Sequence, residues 1–546
     1  MDRLRIIPLG GVEEVGKNCT VLEYLPNDKS KGDIIVVDFG LDFPGPDFPG
    51  INYFLPDIGY LEENKERIKG IVITHGHLDH IGAISYLLHK LGNQTIYATP
   101  LTLAFIQERL AEPGFKKQKI NLKVIDSSLE FQLGVFKIIP FRVVHNIPDS
   151  IGLGIETPLG IVIHTGDFKI DDNPVDQRPL EREKLKKMAK KGVIALLSDS
   201  TNATLPGHSL PEREVGKIIK KIVKECHGRI IFTTFSTLIS RIQQVIYACE
   251  QCGRKIALVG MAMEKSVKIA QELDYLKVPK NIFINSREIE DYPNHKVLIM
   301  AGGAQGVEGS SMERISEKEH WLVRIKKGDT VIFSSSAIPG NELAIHQVMD
   351  GLVNQGAKII YRAVLGSGVH SSGHAFQEEQ KEMIRLTKPK FFIPIEGQHY
   401  MQASHIELAR GLGIQEKNCF MLYNGQILEI NKNKEAKILK NRIPSHLVAV
   451  ENDKVKILDW KIINERKKMA CSGVCIISAF RQGKNYKIEI AFQGFSLNEE
   501  LIKEIKQKTI KLLQNQKNLK NNLQNSLSDY ILSKTGKKPI VFFIAN

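Results

Sequence analysis

Residues 74–80 read THGHLDH, and they follow the apolar run GIVI at 70–73 without a break. A β-branched run of that kind is a strand signal, so His75, His77, Asp79 and His80 arrive together at a strand end. Imidazole nitrogen and carboxylate oxygen are the donors that borderline divalent metals take. Four such residues within six positions cannot share one helical face. A loop can instead turn His75 and His77 toward one ion and Asp79 and His80 toward its neighbour. A polar loop with chance histidines would leave that spacing unexplained.

Similar strand ends recur on both sides of this stretch. DIIVVDFG (33–40), FKIIPFRVV (136–144), LGIVIHTGD (159–167) and GVIALLSDS (192–200) are apolar runs that finish in polar residues. Open α/β sheets place their chemistry at such ends. His145 and Asp167 are therefore further ligand candidates. Asp167 is suited to bridging two ions, and Asp38 to orienting a ligand from behind. His164 lies inside its run and reads as a core histidine with a satisfied ring. Residues 206–365 alternate helices such as EREVGKIIKKIVKEC (212–226) with strands such as KIALVG (255–260), which predicts a second α/β domain. A third segment, 366–430, holds FFIPIEG (391–397). A linker is expected over 431–446, followed by an α+β tail over 447–546. In that tail the polar stretch KNLKNNLQNSLSD (517–529) reads as a loop.

The 546 residues carry a net charge of +14, unevenly placed. Residues 431–546 hold 23 Lys/Arg against 10 Asp/Glu, while the preceding part holds 52 against 51. A basic tail on a neutral body suggests a polyanion partner, although a solvated lysine-rich surface has the same composition. No apolar run reaches the length of about 20 that spans a bilayer, and the N-terminus does not read as a signal peptide. Seven cysteines in a chain of this length do not form a disulfide framework. The expectation is a soluble, cytoplasmic protein with no membrane contact. CEQC at 249–252 lacks the second pair that a zinc site needs. Gly10, Gly11 and Gly16 suit either a tight strand-to-strand turn or a loop framing the metals.

HGHLDH, followed by His145 and by HTGD with Asp167, resembles the motif set of the metallo-β-lactamase superfamily. PLGGVEEVGKN (8–18), LLSDSTNA (196–203), SSSAIPGNE (334–342) and GSGVHSSGHA (366–375) narrow the likeness to the β-CASP nucleases and, within them, to ribonuclease J. The resemblance runs along nearly the whole chain. It implies an αββα metallo-β-lactamase sandwich from residues 1–205 and 366–430. An α/β β-CASP domain, 206–365, would be inserted into it, and 447–546 would be a small C-terminal domain. It also implies two divalent ions, zinc or manganese with magnesium also compatible. His75, His77 and His145 would hold one, Asp79 and His80 the other, with Asp167 bridging. His374, Asp199 and Asp79 would carry the catalytic step, His374 protonating the leaving 3′ oxygen while Asp199 orients it. His370, Ser371, Ser372 and Gly373 would form a phosphate pocket, with Ser236 and Arg241 touching the RNA.

The chain departs from that pattern twice. Glu396 stands where ribonuclease J carries a metal-binding histidine; the carboxylate can take that place, and His399 is the alternative. Leu238 and Ser240 stand where the family often has Asn and His, which removes part of the expected nucleotide contact. The leading reading is a two-metal ribonuclease with 5′-to-3′ exonuclease and endonuclease activity in RNA processing and decay, working as a homodimer or homotetramer. Competing readings are a catalytically weak RNA-binding or scaffolding subunit of an RNA-decay complex, and a hydrolase acting on DNA or a small thioester.

Overall fold

The structure, a computed structural model, describes residues 2–27, 31–45, 47–92, 94–112, 114–115, 120–338, 340–361, 368–483, 485–515 and 520–545. Pro339 of the PGNE motif, Gly366 and Ser367 of GSGVHSSGHA, and the expected domain boundary at 365/366 lie outside the described residues. Two compact units are present, residues 1–43 with 53–446, and residues 44–52 with 447–546.

In the first unit, two sheets face each other. One has eight strands, ordered Ala436–Ile438, Leu428–Asn431, Arg3–Gly10, Cys19–Leu25, Asp33–Val37, Ile68–Val72, Ile96–Ala98, Leu122–Val124. The other has six, ordered Phe391–Ile395, Val193–Asp199, Gly160–His164, Ile151–Thr157, Phe136–Arg142, Phe131–Leu133. Alternate residues of both meet in one core: Leu4, Ile6, Leu22, Ile35, Val37 and Val72 pack with Ile138, Leu153, Ile155, Val162, Leu197 and Ile393. The outer face of the six-stranded sheet is covered by the helices Arg182–Lys191, Gln377–Thr387 and His399–Gly411, through Leu185, Met188, Met383, Ile384 and Ala409. Burial on both faces explains why these strands read as continuous apolar runs rather than alternating ones.

Pairing directions decide where the site lies. Asp33–Val37 runs parallel to Ile68–Val72. Gly160–His164, Val193–Asp199 and Phe391–Ile395 are parallel in turn, with Asp199 paired to Ile395. The candidate residues after these strands therefore collect along one edge of the sandwich.

Val193–Asp199 and Phe391–Ile395 are neighbours although the inserted domain separates them in sequence. That insert folds around its own six-stranded, all-parallel sheet, ordered Phe283–Ile284, Lys255–Val259, Val297–Ala301, Ile230–Thr233, Thr330–Phe333, Lys358–Tyr361. Ile230 and Phe232 face the helices Glu212–Glu225, Ile239–Cys252 and Met261–Glu272. Ile231 and Val331 face Ser311–Ser316 and Glu342–Val353 on the other side. Cys249 is buried in the first of these cores and burial pushes its thiol up to about 12. CEQC is thus core packing, as its lack of a second pair suggested.

Two expectations are corrected. The segment read as a linker contains an edge hairpin: Leu428–Asn431 pairs with Arg3–Ile6, and Ala436–Ile438 pairs with Leu428–Ile430. The sandwich therefore continues well past residue 430. In the second unit, the segment read as a loop is largely the helix Lys520–Thr535, with 517–519 outside the described residues. Its Leu523, Leu527 and Ile531 recur every four positions and enter the core with Cys475, Ile477 and Phe543. That core lies between this helix, its partner Glu499–Asn515 and a sheet ordered Asn485–Gln493, Val474–Gln482, Ile540–Ala545. Among the described residues no helix is long and apolar enough to cross a membrane.

Candidate metal centre

The strand Ile68–Val72 delivers THGHLDH to the sandwich edge, where His77 immediately precedes a four-residue helix, Leu78–Ile81, that carries Asp79 and His80. The chain makes this turn against very close backbone. Gly40 packs on Asp79 so tightly that a Cβ there would sit 1.5 Å from the Asp79 carbonyl oxygen. Asp38, in the left-handed region at φ 62°, ties the turn from behind. Its carboxylate accepts from Thr74 N at 2.7 Å and from Thr74 Oγ1, and lies 2.8 Å from His80 Nδ1. Holding Nδ1 leaves His80 Nε2 to face the centre. The Gly373 carbonyl does the same for His145, accepting from Nδ1 at 2.8 Å. A side chain at Gly373 would press on that ring, since a Cβ would lie 2.7 Å from His145 Cε1.

Two candidate ion sites result among the described residues: His75, His77, His145 and Asp167 form one, and Asp79, His80 and Glu396 the other, each with its ligand-type atoms within 4.8 Å of one another. A third group that meets the same criterion, Asp167, Asp199 and His374, shares Asp167 with the first. His77 Nδ1 stands 3.1 Å from both His75 Nε2 and His145 Nε2. With His145 Nδ1 donating to Gly373, His145 Nε2 can only accept, so a proton on His77 Nδ1 serves one of these two contacts and hydrogen bonding does not account for both. Nitrogens bound at about 2.0–2.1 Å to one tetrahedral zinc are brought to roughly this separation. Asp167 Oδ2 reaches both groups, at 3.6 Å from His75 Nε2, 3.8 Å from His145 Nε2 and 3.3 Å from His80 Nε2.

The electrostatics also fit cations. Burial and the neighbouring imidazoles hold His75 and His145 well below their ordinary range, and burial brings His77 down to about 4. All three are thus in the neutral, ligating form. Burial and the charge of Asp167 push the Glu396 carboxyl well above the usual carboxylate range, and both of its oxygens are buried with no hydrogen-bond partner. A buried carboxylate with orphaned oxygens beside two other carboxylates is what a bound cation relieves. Glu396 also sits at φ 50°, a sparsely populated conformation for a residue with a side chain. His399 lies apart. It opens the helix His399–Gly411, its ring packs against Tyr423 at 4.7 Å, and it belongs to neither group.

Beside these groups, His374 Nδ1 lies 2.8 Å from Asp199 Oδ2, and Asp199 also accepts from Thr201 N and Oγ1. Ser372 is half-buried and receives Asn202 Nδ2 at 2.8 Å, while His370 and Ser371 are buried and bonded inward, to Ser334 O and Leu210 O. Ser236 is half-buried in the loop before Ile239–Cys252. Arg241 is a correction. It is fully buried, and its guanidinium is occupied by Glu212, Gln244, Ser334 and Val369, so it does not face an RNA surface. His164 is buried as expected, with Nδ1 accepting from Gly166 N and burial lowering it to about 4. Asn18 escaped the sequence reading: its side-chain nitrogen is 3.1 Å from His80 Nε2. Asn18 ends the PLGGVEEVGKN stretch, which connects the strands Arg3–Gly10 and Cys19–Leu25, and within it Gly11 meets a candidate ligand residue. Gly11 O accepts from Glu396 N at 2.6 Å.

Four family descriptions match the chain: "Metallo-beta-lactamase superfamily" over residues 12–193, "Ribonuclease J, beta-CASP domain" over 227–352, "Zn-dependent metallo-hydrolase RNA specificity domain" over 363–422, and "Ribonuclease J C-terminal domain" over 461–546. Ribonuclease J of Synechocystis sp. is 38% identical over 87% of this chain and 72% of its own length. Ribonuclease J of Helicobacter pylori is 37% identical over 98% of this chain and 79% of its own. Ribonuclease J2 of Bacillus subtilis is 34% identical over 99% and 98%. A solved structure from Enterococcus faecalis V583, described as a protein of unknown function, superposes with a TM-score of 0.53 at 15% identity, covering 80% of this chain and all of that one. That likeness concerns the fold alone.

Proposed function

The chain belongs to the ribonuclease J family and is a metal-dependent ribonuclease, and from that premise we propose that it cleaves RNA phosphodiesters with two divalent ions, acting both from the 5′ end and internally. The observation that carries the two-ion reading is Asp167 Oδ2 reaching both ligand groups from one sheet edge. His75, His77 and His145 would hold one ion and Asp79, His80 and Glu396 the other, with Asp167 within reach of both.

When bound, the ions supply Lewis acidity to the scissile phosphate and acidify the attacking water. The chain's own residues do the rest. Asp38 and the Gly373 carbonyl fix the ring faces of His80 and His145. His374 is held by Asp199 through Nδ1, so Nε2–H is the proton available to the departing 3′ oxygen. Burial opposes the imidazolium, but Asp199 and Asp167 raise His374 to about 9 and keep that proton in place at neutral pH. Ser372 and the backbone around Gly373 form the nearby surface for a phosphate.

The C-terminal unit supports a homo-oligomer, a dimer or tetramer. The sheet face turned away from its helices exposes Ile476, Phe480, Phe542 and Ile544, and Ile476 pairs directly with Phe542. A contiguous apolar patch of this kind marks an interaction surface. Ile476→Asp with Phe542→Asp lowers the mass measured by light scattering if that face joins subunits.

The deciding experiment incubates the purified protein with 5′-monophosphorylated, 5′-triphosphorylated and circular RNA in manganese, magnesium or zinc. Mononucleotides from the monophosphorylated RNA and cuts in the circle are expected. Intact RNA under every metal would overturn the proposal.

A further inference from the structure

Glu212 opens the helix Glu212–Glu225 and is 3% exposed. It joins two cations that are themselves sealed from water, Lys169 and Arg241. Oε1 accepts from Lys169 Nζ at 3.2 Å and Oε2 from Arg241 Nη2 at 2.7 Å. Lys169 lies two residues beyond Asp167, on the metal-centre side. Arg241 stands in the first turn of Ile239–Cys252, in the inserted domain. One buried carboxylate therefore connects the two halves of the first unit.

Both cations give further donors to a single loop. Arg241 Nη1 donates to Val369 O at 2.9 Å, and Lys169 Nζ donates to Ser371 Oγ at 3.1 Å. Ser371 Oγ donates in turn to Leu210 O, two residues before Glu212. Between these anchors, His370 Nδ1 stands 3.1 Å from Ser334 O. Three consecutive residues are pinned, and His374 follows three positions later. Neither cation has another carboxylate partner among the described residues. Removing one partner of a buried ion pair leaves a charge that must find a new acceptor, and the backbone it held moves with it. Proton donation needs an approach of about 2.6–3.2 Å, so a small shift of the loop is enough to impair it.

We infer that Glu212 is a positioning residue for the hydrolytic step: through Lys169 and Arg241 it holds residues 369–371 and so fixes where His374 delivers its proton. The inference rests on the proposed role of His374 as leaving-group acid. It differs from a plain stabilising role in its dependence on the leaving group.

The test compares an RNA with an ordinary scissile linkage and the same RNA carrying sulfur in place of the bridging 3′ oxygen there. A thiolate departs without being protonated. In metal-saturated full-length protein, Glu212→Gln should slow the oxygen substrate about 10- to 100-fold, within the range that general acid catalysis supplies. The sulfur substrate, KM and metal content should stay within about twofold of the parent. Glu212→Asp keeps the charge, and hence the fold, but is too short to span both cations; the same preference for slowing oxygen is expected of it. His374→Ala is the control. If it slows both substrates equally, the role given to His374 fails. If it is selective for oxygen while a folded Glu212 variant slows both substrates equally, or neither, the inference about Glu212 is overturned.

Discussion

The Nδ1 atom of His374 stands 2.8 Å from Oδ2 of Asp199, with the carboxylate buried and the ring about one-fifth exposed. Burial alone would lower the imidazole, but Asp199 and then Asp167 raise it to about 9 from the ordinary 6.5. A raised value means that the pair's stabilisation is complete below pH 6.5 and is lost as pH rises through about 9. In the metal-free protein, Asp199→Asn should therefore cost most thermal stability near pH 6 and least above pH 9, as a melting series across pH would read.

On the proposed acid role of His374, the same pair should set the alkaline limb of kcat/KM. Ions held at Asp167 would withdraw part of that carboxylate's charge, so the limb in the loaded enzyme should fall between 6.5 and about 9. His374→Ala should remove the limb and lower turnover by about 10²–10⁴-fold with metal content unchanged. Loss of metal from that variant would make His374 a ligand instead.

The proposed pair of ions rests on two ligand groups that Asp167 Oδ2 approaches, at 3.6 Å from His75 Nε2 and 3.3 Å from His80 Nε2. Elemental analysis of protein reconstituted with excess metal should approach two equivalents. Asp79→Ala should retain about one and hydrolyse no RNA above background, with an unchanged circular dichroism spectrum. Saturation of the parent protein at one equivalent would rule out the two-ion mechanism.

The candidate metal centre was legible because its donors are local in sequence. THGHLDH packs four donors into one turn, and Asp167 marks its own strand end. What sequence could not show was the far partner. Arg241 begins a helix after a strand, where cations often meet phosphate, and nothing nearby reveals that Glu212 has claimed it. Lys169 escaped notice for the same reason. In the tail, Leu523, Leu527 and Ile531 did carry a helical period, but the surrounding Asn and Gln diluted it. The edge hairpin at 428–438 is three to four residues a strand, too short for alternation to stand out from a polar linker.

The basic tail has its own test. Lys503, Lys508 and Lys511 are exposed along the helix Glu499–Asn515. If they touch RNA, changing all three to Gln should weaken binding and flatten its salt dependence. The log–log slope should drop by about 0.7 for each phosphate of a single strand that the variant no longer neutralises. Light scattering on the same variant controls for reduced avidity. An unchanged slope with an unchanged mass would confine the tail to subunit association.

Glu396 stands where the resemblance to ribonuclease J implies a histidine, and its geometry leads to a prediction about metal choice. Its carboxylate stands with Asp79 and His80, its two oxygens have no other partner, and its backbone is held in the left-handed region by Gly11 and the strand end. A carboxylate is a harder donor than imidazole and brings a negative charge, which favours manganese or magnesium over zinc. Glu396→Ala should therefore lose the second ion and most activity. Glu396→His should bind two ions again, with zinc gaining relative to manganese. His399→Ala should change neither count nor preference, because that ring packs on Tyr423 away from both ligand groups. Calorimetric titration of each metal into the three variants reads affinity directly, without RNA. If Glu396→Ala keeps two ions while His399→Ala keeps one, the helix His399–Gly411 must rotate toward the centre on metal binding, and His399 is the ligand.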